Sequence, residues 1–229
     1  MFQTIVLILP VSDTDTKTAI LDAAETLFVE QGFEGASLRS VTSMANVNIA
    51  AIHYHFGSKD ALVKAVLERR LSPINQKRLD LLNALELSCA DRNLQLEDIL
   101  RALFEPALKM TGFGGGSHSN IARLIGRLFS EPSHSLQLYL KARFQEVFDR
   151  FSAALRSVLP DLPDVDFFWR IHFMMGAMSH TLCDQERPRL LSGGICNPQC
   201  FEETCDQLIA FVAGGLRAQC VGIKREDVE

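Results

Sequence analysis

The stretch "NIAAIHYHFGSKDAL", residues 48–62, concentrates side chains able to do chemistry. His53 and His55 flank Tyr54, and Gly57, Ser58 and Lys59 follow at once. His-x-His invites a metal reading, and "FGSK" hints at a phosphate-binding loop. Neither survives the spacing. Residues two apart on a helix project about 200° from one another, so His53 and His55 cannot share an ion there. Helical zinc pairs stand four apart, as in H-E-x-x-H, and "FGSK" lacks the spaced glycine pair and preceding strand of a Walker loop. A metal site would need this stretch to be a strand, and its capped, alanine-containing surroundings argue against that.

A different chemistry fits the same residues. Ala50 and Ala51 keep the front of a short helix flat enough to enter a DNA major groove. His53 and Tyr54 bring polar tips that can meet phosphates or base edges. Lys59 adds a cation beside a helix N-terminus, where backbone N–H groups already favour an anion. Arg39 supplies another. Between residues 37 and 64 the cations are Arg39, Lys59 and Lys64 and the only acid is Asp60, so the segment is locally basic.

The elements that must hold these residues are short helices. From Thr16, Ile20, Ala24, Leu27 and Phe28 share one helical face, and Gly32 is the stop. Ser37 caps a second helix with Leu38, Val41 and Ala45 inward, and Asn46 suits a left-handed turn position. Val47 plugs the turn. Asn48 caps a third helix with Ile52 and Phe56 inward, Gly57 ends it, and Ser58 caps a fourth with Asp60 in its first turn. Three helices with a short turn between the last two make a helix-turn-helix unit. His55 and Phe56 are assigned to the joint with the fourth helix. Pro73 is expected to kink or break that helix. Further helical segments fall near 94–111, 118–131, 133–158, 164–183 and 198–218, and nothing reads as a strand series. "GFGGGS" at 112–117 reads as a flexible connection.

The chain has 229 residues, 47% of them hydrophobic and 22% charged, which suits a sizeable core and argues against disorder. Its net charge of −5 gives no global sign of nucleic-acid binding, but docking depends on local charge. Six cysteines without an export signal point to reduced thiols in a cytoplasm. Residues 1–12 read as a poorly ordered leader, with a misassigned start codon as the other reading. No apolar run is long enough to span a bilayer.

The segment "AILDAAETLFVEQGFEGASLRSVTSMANVNIAAIHYHFGSKDALVKAVLE" resembles the DNA-binding domain of the TetR family of bacterial regulators. It follows their pattern of a first helix ending G-F/Y-x-x-x-S/T, an A-G-V turn, then Y-x-H-F-x-S-K. The resemblance implies that Arg39, Ala50, Ala51, His53, Tyr54 and Lys59 face DNA, and the caps Ser37 and Asn48 complete the candidate interface. Asn46 stands in place of the usual turn glycine. His53 stands where the family commonly has a phosphate-contacting tyrosine, which leaves its contact open.

The same resemblance implies that the remaining helices bind a ligand and dimerise. "ARLIGRLFSEPSHSLQLYLKARFQEVFDRF" and "DFFWRIHFMMGAMSHTL" are further similar to the fatty-acid-responsive PsrA-like branch. Independently, Phe167, Phe168, Trp169, Phe173, Met174, Met175 and Met178 load almost every face of one helix, so it must touch its own core and something else. Gly176, Ala177, Gly214 and Gly215 would let backbones approach closely across a dimer interface. The competing reading is a thick monomer core. Phe104, Arg123, Phe129, His172 and Met175 are candidates to line an apolar effector pocket, with Arg123, Arg127, Arg170 and His172 able to meet an acidic head group. Cys196, Cys200 and Cys205 match no paired C-x2-C zinc pattern.

The expectation is an all-α chain: a helix-turn-helix domain at 13–60, then a helical effector-binding and dimerisation domain at 61–229. It would be a ligand-responsive homodimeric repressor, released from palindromic double-stranded operator DNA by a small hydrophobic effector such as a fatty acid or acyl-CoA. An activator or dual regulator with the same head is one alternative. A DNA-bound protein-interaction scaffold is another. No catalytic constellation, metal site or cofactor motif is legible, and no membrane partner is expected.

Overall fold

The computed structural model describes residues 13–88, 94–110, 120–130, 134–184 and 186–220, except for the side chains of residues 121, 129 and 130. The leader, "GFGGGS" and Cys89 lie outside this set. All regular structure among the described residues is helical, and the chain divides into two compact units, 1–70 and 71–229.

The first unit holds α1 (Asp13–Gly35), α2 (Leu38–Ala45), α3 (Ile49–Phe56) and the start of α4 (Lys59–Ser88). Ile20, Ala24, Leu27 and Phe28 are buried, as their shared face predicts. Gly32 takes φ 80°, ψ 169°, which interrupts the regular helix and suits a residue without a Cβ. Phe33 then turns back so that its ring lies 5.7 Å from that of Phe28. Val41 and Ile52 are buried, whereas Leu38 is only half-buried. The unit runs to Arg70, past the boundary at 60 drawn from the sequence. Leu62, Val63, Val66 and Leu67 of α4 are buried in it, and Arg69 and Arg70 both reach the buried carboxylate of Glu25 on α1.

α4 does not break at Pro73; it stays helical from Lys59 to Ser88. The missing N–H removes one ladder bond, and the flanking turns carry the helix across.

The second unit is built from α5 (Leu96–Met110), α6 (Asn120–Ser130), α7 (His134–Val158), α8 (Asp164–Cys183), α9 (Arg187–Leu191) and α10 (Phe201–Arg217). α5 lies centrally, against α7, α8 and α10. Ile99, Leu100, Phe104 and Leu108 of α5 join Phe151 and Leu155 of α7, Phe167 and Met178 of α8, and Ile209 and Val212 of α10 in one core. The outer residues of α8 stay in solvent: Phe168 is 55% exposed, Trp169 58% and Phe173 63%. α9 has no counterpart among the segments expected from the sequence. Its five residues are too few to show a helical period.

Candidate nucleic-acid interface

Local hydrogen bonds build the helix-turn-helix. Ser37 Oγ accepts from the Ser40 backbone N–H at 3.0 Å and caps α2. Asn46 adopts the left-handed conformation (φ 52°, ψ 45°), and its N–H returns to Ser43 and Thr42 carbonyls. Val47 N–H also donates to Thr42 at 3.0 Å. Asn48 Oδ1 accepts from Ala51 N–H at 2.9 Å to start α3. Gly57 closes α3 at φ 76°, and Ser58 Oγ accepts from Ala61 N–H at 3.1 Å.

This frame orients α3 unambiguously. Ile52 is fully buried, while Ala50, His53 and Tyr54 lie on the solvent side, Tyr54 at 78% exposure. Arg39, Ser37 and Asn48 are exposed as well, and Ala51 is half-buried. His53 Nδ1 sits 3.0 Å from the Gly57 carbonyl. A carbonyl can only accept, so Nδ1 carries the proton and Nε2 of the neutral ring is left as an acceptor. His55 goes elsewhere: its side chain is 7% exposed and its Nε2 lies 3.5 Å from Asp13 Oδ1 at the start of α1. The two histidines therefore project to different sides. His55 thus also meets the start of α1, a contact its assignment to the joint with the fourth helix did not foresee.

Lys59 is half-buried, and its Nζ donates to the Glu34 carbonyl at 2.9 Å. One ammonium N–H thus ties the start of α4 to the end of α1. Lys64 pairs with Asp60 at 2.7 Å, which offsets part of the local positive charge.

The effector candidates whose side chains are described do not share one cavity. Phe104 is sealed in the core, Arg123 is exposed on α6, and the side chain of Phe129 lies outside the described residues. His172 is exposed on α8, edge-on to Trp169 with ring centroids 6.1 Å apart. Arg170 donates to the Leu216 carbonyl at 2.7 Å, closing the end of α10. Met175 does line a cavity of about 150 Å³, together with Phe144, Phe148, Phe151, Met174 and Arg78. Arg78 is absent from the candidates chosen by sequence. Leu71, Ile74 and Leu82 share its helical face, and a charge on an apolar stripe is the signal that could have found it.

The described cysteines are all free thiols. Burial pushes the Cys205 thiol above the usual range, which leaves it a poor nucleophile. No metal-holding group of three or more His, Cys, Asp or Glu occurs among the described residues, and none of their helices is long and apolar enough to cross a membrane.

Comparison with known proteins agrees with this architecture. Residues 20–66 match the family model for bacterial regulatory proteins of the TetR family. Residues 101–215 match the model for the tetracycline-repressor-like C-terminal domain. The transcriptional repressor NicS of Pseudomonas putida is 31% identical over 90 residues, covering 39% of this chain and 41% of NicS. A transcriptional repressor of Mycobacterium tuberculosis is 40% identical over 60 residues, covering 26% of this chain and 32% of that protein. The chain thus spans less than half the length of these curated relatives. In fold, it is similar to a Clostridium perfringens protein described as a candidate fatty acid metabolism regulator. That likeness has a TM-score of 0.62 at 18% identity and covers 88% of this chain and 100% of that one. Both halves of the sequence thus carry the marks of one regulator family, whose members are DNA-binding proteins and not enzymes: the chain belongs to the TetR family.

Proposed function

We propose that the protein is a transcriptional repressor that grips a two-fold-related operator as a homodimer and leaves it when a hydrophobic effector occupies the second unit. The observation that carries this reading is the orientation of α3, with Ile52 buried and Ala50, His53 and Tyr54 outward. Ala50 and Ala51 let the helix lie close to base edges, with His53 Nε2 able to accept from an adenine or cytosine amino group. Ser37, Arg39, Asn48, Tyr54 and Lys59 take the flanking phosphates. Two copies would place their α3 helices in successive major grooves, about 34–36 Å apart.

The outer face of α8 and α10 suits the dimer contact. Trp169 stacks on Phe173 at 5.8 Å, Phe211 is 73% exposed, and nothing stands within 4 Å of a Cβ placed at Gly176, Gly214 or Gly215. An apolar face with room for a second backbone is what a two-fold helix bundle needs.

A fatty acid or acyl-CoA is the effector class implied by the PsrA-like resemblance. The Phe- and Met-lined cavity supports an apolar occupant, at about 0.8 kcal/mol per buried CH₂ before ordering costs. Its volume of about 150 Å³ encloses a head group and the first few carbons, so a longer chain would pass out beside Phe148. Coupling of about 1–3 kcal/mol between the two sites gives a 5–150-fold loss of operator affinity.

Footprinting of the purified protein on its own upstream DNA tests the proposal, with and without acids and acyl-CoA thioesters of graded chain length. Two protected half-sites one turn apart, lost on adding effector, are expected. Protection that no apolar ligand weakens would remove the ligand response, and absence of a protected site would remove the operator.

A further inference from the structure

Among the described residues, only two charged side chains are buried, Glu25 and Arg78. The fold treats them differently. Glu25 meets two arginines. Arg78, 4% exposed, meets only neutral acceptors. Its Nε donates to the Leu103 carbonyl at 2.8 Å, its Nη1 to Asn75 Oδ1 at 3.1 Å, and its Nη2 points at Met178 Sδ, 3.6 Å away. No described carboxylate pairs with it. Burial alone lowers its pKa, to about 10, so the guanidinium remains a cation at neutral pH. An ion buried without a counter-charge is costly, and proteins ordinarily pair it.

Arg78 borders the cavity between α7 and α8. Phe144, Phe151, Met174 and Met175 supply apolar walls, and Ser152 offers the one hydroxyl. The lining contains no acid. A space of this size, about 150 Å³, is that of an engineered apolar cavity that stays dry and binds benzene in another protein. Phe148, 42% exposed, stands at the rim. Three of the five guanidinium N–H groups are directed at protein atoms, which leaves two, a number that a carboxylate can accept in parallel. The larger groove along α8 and α10, about 800 Å³, is lined by Arg187, but that guanidinium is already paired with Asp184, and Glu203 adds a second acid.

We infer that the α7–α8 cavity is a binding site for a small monocarboxylic acid, with the carboxylate on Arg78 and a ring-sized or short-chain apolar body among Phe144, Phe151, Met174 and Met175. This rests on the reading that an apolar effector occupies the second unit, and it narrows that effector to an organic anion. The missing counter-charge of the core is then the ligand's own. Uncharged analogues of the same shape fill the cavity but leave the guanidinium unpaired, so charge and shape are read together.

The test is calorimetric titration of the full chain, without DNA, using benzoate, phenylacetate, hexanoate and octanoate, each beside its amide. At least one acid is expected to bind one site per chain about tenfold or more tightly than its amide. Arg78→Met should erase that preference and Arg78→Lys should keep part of it. Circular dichroism of each variant verifies folding. Met175→Trp, which fills the cavity and leaves Arg78 in place, should block acid and amide alike. The inference is overturned if no acid outbinds its amide, or if the preference survives Arg78→Met in a folded protein. Operator release is measured separately. Arg78-dependent acid binding that leaves the operator occupied defeats the repressor-release reading and not this one. Release by lipids that show no acid preference does the reverse.

Discussion

Glu25 and Arg70 meet through two hydrogen bonds of 2.8 Å, Nε to Oε2 and Nη2 to Oε1, across a carboxylate that is 2% exposed. Arg69 adds a third bond to the same group at 2.6 Å. The pair locks α4 to α1 in the first unit, although Arg69 Nε beside it is buried without a hydrogen-bond partner. Glu25→Ala removes the shared anion of two part-exposed guanidinium groups, Arg69 keeping its bond to Asp22, and is expected to cost about 1–3 kcal/mol. Urea unfolding monitored by circular dichroism measures it; a loss below about 1 kcal/mol would mean the cluster is solvated.

Asn46 holds the turn in the left-handed region at φ 52°. Asn46→Gly should be neutral or mildly stabilising, because glycine adopts that conformation without strain. A β-branched replacement, Asn46→Val, should lose about 1–2 kcal/mol. Thermal unfolding of the two variants ranks them, and the opposite order would show that the Asn side chain is what holds the turn.

Lys59 has two tasks, one visible in the hydrogen bond to Glu34 and one proposed toward phosphate. Lys59→Ala should lower stability by about 1 kcal/mol. It should also weaken binding to any DNA sequence and reduce the log–log salt slope by about 1. His53→Ala should instead change base preference. Fluorescence anisotropy at several salt concentrations separates the two; an unchanged slope for Lys59→Ala would leave it with the structural role alone.

Phe173→Asp places a charge on the exposed apolar face of α8, 63% exposed in the single chain. The variant should remain helical, sediment as a monomer, and lose most operator affinity because two half-sites no longer bind together. Analytical ultracentrifugation decides; an unchanged dimer would move the contact elsewhere.

Short-range chemistry is legible from the residues. Gly32, Ser37, Asn46, Asn48 and Gly57 act through partners no more than five residues away, and each takes the part its type dictates. Arg78 and Lys59 are not legible in the same way. Arg78 reaches Leu103 and Met178, 25 and 100 residues on, and Lys59 reaches back 25 residues to Glu34. Only tertiary packing creates those partners. The extent of the first unit is hidden for a related reason: α4 runs without interruption from one unit into the other, so no loop or composition change marks the division after Arg70. The effector candidates chosen by residue type scatter because helical phase, which sends Phe104 inward and Arg123 outward, decides more than chemistry does.

Trp169 is the chain's single tryptophan, and it stands on the outer face of α8, 58% exposed and stacked on Phe173. The protein therefore carries its own optical gauge, aimed at one surface. Indole emission is red-shifted in water and blue-shifted when water is excluded, so its wavelength reports whether that face is bare or covered. A dilution series read by intrinsic fluorescence would follow association of two copies without any label. Because no second indole contributes background, the same signal can be followed while acids are added or DNA is withdrawn.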